Sequence, residues 1–220
     1  MATTARTPRR RARLTRERIL AAALKLADEK GIDAVSMRNV GDALRVEAMS
    51  LYRHVASKDD LLDGIVDLVM AEYDLPAPDG SWREAIRKSA ISAHAALRRH
   101  PWAGSVMESR LTPGPARLRY LDSVVGVLRR AGFPMPQVAL AFMAIDSHIY
   151  GFTLQELALP FNRDSMPEVA ATFVAQVPAE YPNLRAMAEL AAGGTDAVGV
   201  DFEFGLGLIL DGLERLRHGG

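Results

Sequence analysis

The chain has 220 residues, 49% hydrophobic and 25% charged, with no cysteine and a formal net charge of zero. That composition supports a buried core. It excludes wholesale disorder, a disulfide framework, a thiolate zinc site and a cysteine nucleophile. No apolar run approaches the roughly 18 residues that a bilayer span needs, and the Arg-rich N-terminus lacks the apolar stretch of a secretory signal, so a cytoplasmic protein is expected.

The charge is unevenly spread. Residues 1–58 hold 13 Lys/Arg against 6 Asp/Glu, and residues 59–220 hold 14 against 21. Such asymmetry points to a polyanion at one end, or to a basic tail beside a solvated domain. Residues 1–13 (MATTARTPRRRAR) read as a flexible basic tail. From residue 14 the pattern is helical: Thr15 caps, Ile19, Leu20, Ala23, Leu24 and Ala27 recur at three- and four-residue spacing, and Gly31 stops the helix. Ser36 caps a second, short helix, and a third covers about 47–54. Ser57-Lys58-Asp59-Asp60 resembles a capping box and opens a helix to about Tyr73. Residues 76–80 (PAPDG) form a linker-like break, and Ser81-Trp82-Arg83-Glu84 is a full capping box that starts an Ala-rich helix to about His100. A short helix near 102–110 follows. The next runs to Ala131 and stops at Gly132. A long apolar helix begins at Pro134 and Pro136 and ends at Pro160. Shorter helices are expected at about 167–176 and 182–192, a break at Gly193-Gly194, and a last helix at about 198–217. No segment alternates as a strand would, so the fold class is all-α. Three parts are expected: the tail 1–13, a helix-turn-helix domain 14–58, and a larger helical domain 59–220.

Residues 36–58 (SMRNVGDALRVEAMSLYRHVASK) are the most informative. They hold two short helices joined tightly at Leu44-Arg45-Val46. So short a unit cannot bury itself and must rest on the helices before and after it. A short second helix standing clear of a helical base suits the major groove of DNA. Ala48, Met49 and Ser50 would then face base edges, and Tyr52, Arg53 and His54 the sugar-phosphate walls. Lys58 adds positive charge at a helix N-terminus, where phosphate is attracted. The alternative is that two amphipathic helices simply pack, with Tyr52 half-buried and His54 a surface group.

Residues 17–45 and 46–66 resemble the DNA-binding domain of the tetracycline-repressor (TetR) family. The core Leu51-Tyr52-x-His54-Val55, followed by Ser57-Lys58 and a Leu-Leu pair, carries the likeness. The resemblance implies that the helix holding Ala48 to His54 is the recognition helix. It implies that Arg38 contacts DNA and that Tyr52, His54 and Lys58 contact phosphate. Ser36 is counted with this set. Residues 141–156 (AFMAIDSHIYGFTLQE) and 202–214 (FEFGLGLILDGLE) are similar to the two dimerisation helices of the tetracycline-repressor subgroup. They place Ile149, Phe152, Phe204 and Leu208 at a homodimer interface, with Gly151, Gly205, Gly207 and Gly212 allowing close approach. Both helices are apolar over most of their circumference, which requires burial on more than one side, within one subunit or between two. A two-fold dimer implies an inverted-repeat operator in double-stranded DNA, with half-sites about 34–36 Å apart.

The helices over 82–159 would enclose a small-molecule effector pocket. Met70, Ile86, Trp102, Met107, Leu121, Met143 and Ser147 are its expected lining, though each also reads as an ordinary core residue. His94, Asp146 and His148 are the polar groups to follow. The family's namesake binds a drug–magnesium complex with the help of histidines. Asp74 and Ser105 stand at or near those places here, so neither tetracycline nor magnesium is expected, no metal or cofactor is assigned, and an apolar or aromatic effector is the expectation. The helix 57–73 would connect pocket to reading head, so that a ligand preferring widely spaced heads releases DNA by differential affinity. Two other readings stand beside this one. A helical-bundle enzyme would need a motif that is missing: no Glu is followed three residues later by His, and there is no HExxH, G-x-S-x-G or GxxxxGK[ST]. A DNA-binding regulator without effector would leave most of the 140-odd residues beyond the reading head unexplained.

Overall fold

The computed structural model describes residues 13–110, 112–159, 165–193 and 201–219. The tail residues 1–12, and the helix stops assigned to Pro160 and Gly194, lie outside the described residues. Among the described residues there are eleven α-helices, one 3-10 turn and no strand. No helix among them is long and apolar enough to cross a membrane.

Helix α1 (Arg16–Lys30) starts on Thr15, whose hydroxyl accepts from the Arg18 N–H, and ends at Gly31 with φ of 80°. Its Ile19, Leu20, Ala23, Leu26 and Ala27 form one buried stripe. A 3-10 turn (Ile32–Ala34) leads to α2 (Met37–Leu44), α3 (Ala48–Leu51) and α4 (Lys58–Met70). Helix α3 is shorter than the expected 47–54, because its last turn tightens: the His54 N–H reaches the Leu51 carbonyl, an i→i+3 bond. The end of α4 tightens in the same way through Glu72 to Val69 and Tyr73 to Met70. Then come α5 (Trp82–Arg99), α6 (Ala103–Glu108), α7 (Pro115–Arg130), α8 (Met135–Ala158), α9 (Met166–Gln176), α10 (Pro182–Ala192) and α11 (Phe202–Gly219).

Helix α4 is the shared element. One side packs on α1, and others pack on α5, α6 and α7. Ile19, Leu51, Val55, Leu61 and Ile65 are wholly buried around it. Each such burial is worth roughly 1.5–3 kcal/mol. The core they begin continues without a break to Leu213 on α11. A domain boundary at residue 58 therefore falls where α4 starts, and α4 serves both sides of it. Farther along, α5 and α8 pack on each other and on α7 and α11. Helices α9 and α10 pack mainly on each other, and leave Phe173, Tyr181, Met187 and Leu190 exposed.

Candidate nucleic-acid interface and sensor core

The reading head is built from its caps upward. The Ser36 hydroxyl accepts from the Asn39 N–H at 3.1 Å and starts α2, while the Asn39 amide donates to the Ala34 carbonyl. Arg45 then takes the left-handed conformation (φ 57°, ψ 46°) and turns the chain sharply. The Val46 N–H returns to the Gly41 carbonyl at 2.9 Å. Gly41 is required here: a Cβ on it would meet the Val46 carbonyl oxygen at 2.9 Å and the Ala48 nitrogen at 3.3 Å. Helix α3 thus lies hard against α2.

Leu51 and Val55 anchor α3 with no exposed surface, whereas Met49 is 73% and Tyr52 46% exposed. Arg38, Arg53 and Lys58 are exposed beside them, and Ser36, Ala48, Ser50 and His54 are half-buried. All nine expected DNA contacts lie on α2, α3 or the turn into α4. A bracket from outside the motif holds that turn. One Arg16 nitrogen donates to the His54 carbonyl (3.1 Å) and to Asp60 (2.9 Å), and the other Arg16 terminal nitrogen also bonds Asp60. Asp60 accepts in turn from the Ala56 N–H at 2.8 Å, and its own N–H donates to Ser57. The Arg16 guanidinium holds the Asp60 carboxyl below the usual carboxylate range.

The expected pocket residues divide. Met70, Ile86, Trp102 and Met107 are buried and Leu121 is half-buried, whereas Met143 is 60% exposed and Ser147 is also exposed, on the open side of α8. Met143 and Ser147 therefore line no interior space in this chain. Three tyrosines join the buried set instead. The Tyr73 and Tyr120 rings meet edge to face at 5.3 Å, and the Tyr150 hydroxyl lies 3.4 Å from the Met107 sulfur and 4.0 Å from that of Met70. Burial pushes the Tyr73 and Tyr120 phenols well above their usual range. The cluster is closed, and the void against Tyr150, Leu97 and Gly104 is about 10 Å³, room for at most one water. A cleft of about 730 Å³ opens elsewhere, between residues 77–83 and the ends of α7 and α11, and none of the seven expected pocket residues lines it.

The core is wired to the head. The Trp102 indole donates to Asp28 on α1 at 2.8 Å, and His100 lies between Asp28 (2.7 Å) and Glu72 (3.1 Å). Arg110, just after α6, pairs with Asp59 and Asp63 of α4, and Asp67 accepts from the Ala116 and Arg117 N–H groups that open α7. Asp74 and Ser105 serve the backbone: the Asp74 N–H donates to Ser92, and Ser105 to the Trp102 carbonyl.

On the outer face, Phe204 is 67% and Leu208 57% exposed on α11, with Leu140, Leu154 and Leu157 exposed on α8. Ile149 is a correction: at 1% exposure it belongs to the chain's own core. Phe152 is half-buried, packed edge-on against Phe202 and His94. Gly205 is also turned inward, since a Cβ there would strike the His148 ring, while Gly151 and Gly207 face open space.

Comparison with known proteins gives this geometry a context. Residues 19–65 match the family model "Bacterial regulatory proteins, tetR family", and residues 75–217 match "Tetracyclin repressor-like, C-terminal domain". The chain belongs to the TetR family. It is 34% identical to the transcriptional repressor DrrR1 of Streptomyces coeruleorubidus, over 92% of this chain and 78% of that one. It is 31% identical to the class A tetracycline repressor of transposon 1721 from Escherichia coli, over 90% of each. Among solved structures, apo ActR of Streptomyces coelicolor superposes with a TM-score of 0.80 at 27% identity, over 94% of this chain and 98% of that one. ActR bound to actinorhodin gives 0.78 at 27% identity, over 94% and 99%.

In this TetR-family chain, sequence reading missed the residues that hold the recognition helix and those that tie it to the core. Arg16 and Asp60 lie 44 positions apart, and Trp102 and Asp28 lie 74 apart. No local spacing betrays such pairs. The three tyrosines carried a usable signal: buried phenols on three separate helices.

Proposed function

We propose that this TetR-family regulator is a homodimeric repressor, acting in the cytoplasm, that binds an inverted-repeat operator and leaves it when a small molecule occupies the core between α4 and α8. DNA contact is assigned to Ser36, Arg38, Ala48, Met49, Ser50, Tyr52, Arg53, His54 and Lys58. The dimer face is assigned to Phe204 and Leu208, with Phe152 behind them. The observation that carries the reading is α4 itself. It supports the head through Leu61 and Asp60, and it is pinned to the core through Asp59, Asp63 and Asp67. A ligand that spreads the tyrosine–methionine cluster would shift Arg110 and the start of α7, and α4 with them. In a symmetric pair, a tilt of α4 changes the spacing of the two heads, and operator affinity falls by the ligand's preference for the tilted state. DrrR1 is a repressor by name, and ActR binds actinorhodin.

The closed core favours a second reading, a repressor with no effector. One experiment addresses both. The full-length protein is titrated onto DNA from upstream of its own gene, with and without candidate aromatic molecules, and read by gel shift and footprinting. The proposal expects a two-fold symmetric footprint that a ligand abolishes. A footprint unmoved by any ligand that binds the protein supports the second reading. An asymmetric footprint, or none, overturns both.

A further inference from the structure

The cluster beneath α4 has a definite chemical character. Tyr73 follows α4, Tyr120 sits on α7 and Tyr150 on α8, and their rings and hydroxyls surround the Met70 and Met107 sulfurs at 3.4–4.0 Å. Asp146 lies one helical turn before Tyr150 on α8, so both side chains share a face. It is half-buried. Its charge acts on both Tyr73 and Tyr120, and no basic side chain among the described residues acts on either. The cluster therefore joins three electron-rich rings, two polarisable sulfurs and one carboxylate. Ring faces attract a cation by their quadrupole, and a carboxylate attracts it by charge. Burial and the Asp146 charge together keep the phenols un-ionised, so their hydroxyls stay able to donate. Methionine side chains can move aside for a flat guest, which a closed core requires.

We propose that the effector is a cationic aromatic molecule: a planar ring body carrying an amine protonated at neutral pH, with the amine held at Asp146 among Tyr73, Tyr120 and Tyr150. This rests on the effector-release reading above, and it names the class of molecule that the same core selects. An aromatic acid of equal size would bring its charge against Asp146. A neutral aromatic would keep the ring contacts and leave the carboxylate unused.

Three matched probes decide it: 1-naphthylmethylamine, 1-naphthalenemethanol and 1-naphthoate, which are cationic, neutral and anionic. Their affinities for the full-length protein are measured by calorimetry, and their effect on operator binding by gel shift. The amine is expected to bind at least tenfold tighter than the alcohol, with the naphthoate weakest. In Asp146→Asn the amine should lose at least tenfold while the alcohol changes less than twofold. The ranking on the unaltered protein needs no variant, so a variant that fails to fold leaves the test standing. An alcohol or acid that binds as tightly as the amine overturns the proposal, as does an amine that fails to bind at millimolar concentration. The two readings fail separately. An amine that binds in the expected order without weakening the operator complex sinks effector release and spares the amine site. Release by the neutral probe at least as readily as by the amine does the reverse.

Discussion

The reading head and the sensor body begin their helices by different means. In the head, α1, α2 and α4 each start on a hydroxyl, those of Thr15, Ser36 and Ser57, that accepts a hydrogen bond from the first turn. In the body, α6 to α10 start with no side-chain cap, and prolines open α7 to α10. A cap satisfies an orphan N–H within a few residues. Proline only presets φ and leaves packing to do the rest. The surfaces differ in the same sense. The head exposes Met49 and Tyr52 among polar neighbours, and its turn is closed by Arg16 and Asp60. The body exposes apolar residues along α8, α10 and α11. The head is complete within one chain and needs only a polyanion. The body is left unfinished by one chain.

The largest effect should come from the unfinished side. Replacing both Phe204 and Leu208 with Glu puts two charges into the proposed dimer face, where desolvation is costly. The variant should sediment as a monomer and lose at least 100-fold in operator affinity, about 2.7 kcal/mol, while its circular dichroism stays native. A dimer that survives the double change would move the interface off α11.

The reverse pattern should follow from Gly41→Val. The added Cβ meets backbone at the Val46 carbonyl, which cannot swing aside as a side chain would. Overpacking of this kind costs about 1–3 kcal/mol. Operator binding should collapse while the protein stays dimeric. If both properties fall together, the head is not the separable unit the caps suggest.

How much of this was legible depended on distance along the chain. The fold class, the starts of α1, α2, α4 and α5, and the stop at Gly31 were readable because a cap or a glycine lies within four residues of what it controls. The exposed face of α3 was readable because Leu51 and Val55 lie one turn apart. The faces of α8 were not. That helix is apolar nearly all round, so periodicity could not separate Ile149, which is buried, from Met143, which is open. The expected pocket and interface sets went astray at those residues. The Arg16–Asp60 and Trp102–Asp28 contacts join distant stretches, and only the packed structure brings them together.

A smaller change sharpens the comparison within the head. Ser36→Ala removes the hydroxyl that caps α2 and should cost about 1 kcal/mol, read as a lower urea midpoint. Operator affinity should fall by less than in Gly41→Val, because the path of the chain is unchanged. A loss as large as that of Gly41→Val would give the hydroxyl a direct role at the phosphates.

The smallest effect is a pH slope in the body. His94 is buried between α8 and α11, stacked on Phe202 at 4.2 Å, with Nδ1 2.8 Å from the Thr153 hydroxyl. Thr153 already donates to the Ile149 carbonyl at 2.6 Å, so Nδ1 must be the donor to Thr153. The neutral ring then turns its Nε2 lone pair toward Glu156, 3.3 Å away, whose Oε2 has no hydrogen-bond donor among the described residues. Burial is the largest influence and lowers the His94 pKa. Glu156 opposes it, and Arg98 and His148 reinforce it. The unfolded chain therefore takes up this proton first, as pH falls through about 6.5. Stability is intact above that pH, drains as pH falls below it, and levels off once the native ring is protonated as well. The urea midpoint should drop between pH 7 and pH 5.5. In His94→Gln, which can still donate to Thr153, the drop should be shallower. A midpoint that instead rises on acidification would mean that the Glu156 ion pair outweighs burial, and that acid tightens the α5–α8 contact rather than loosening it.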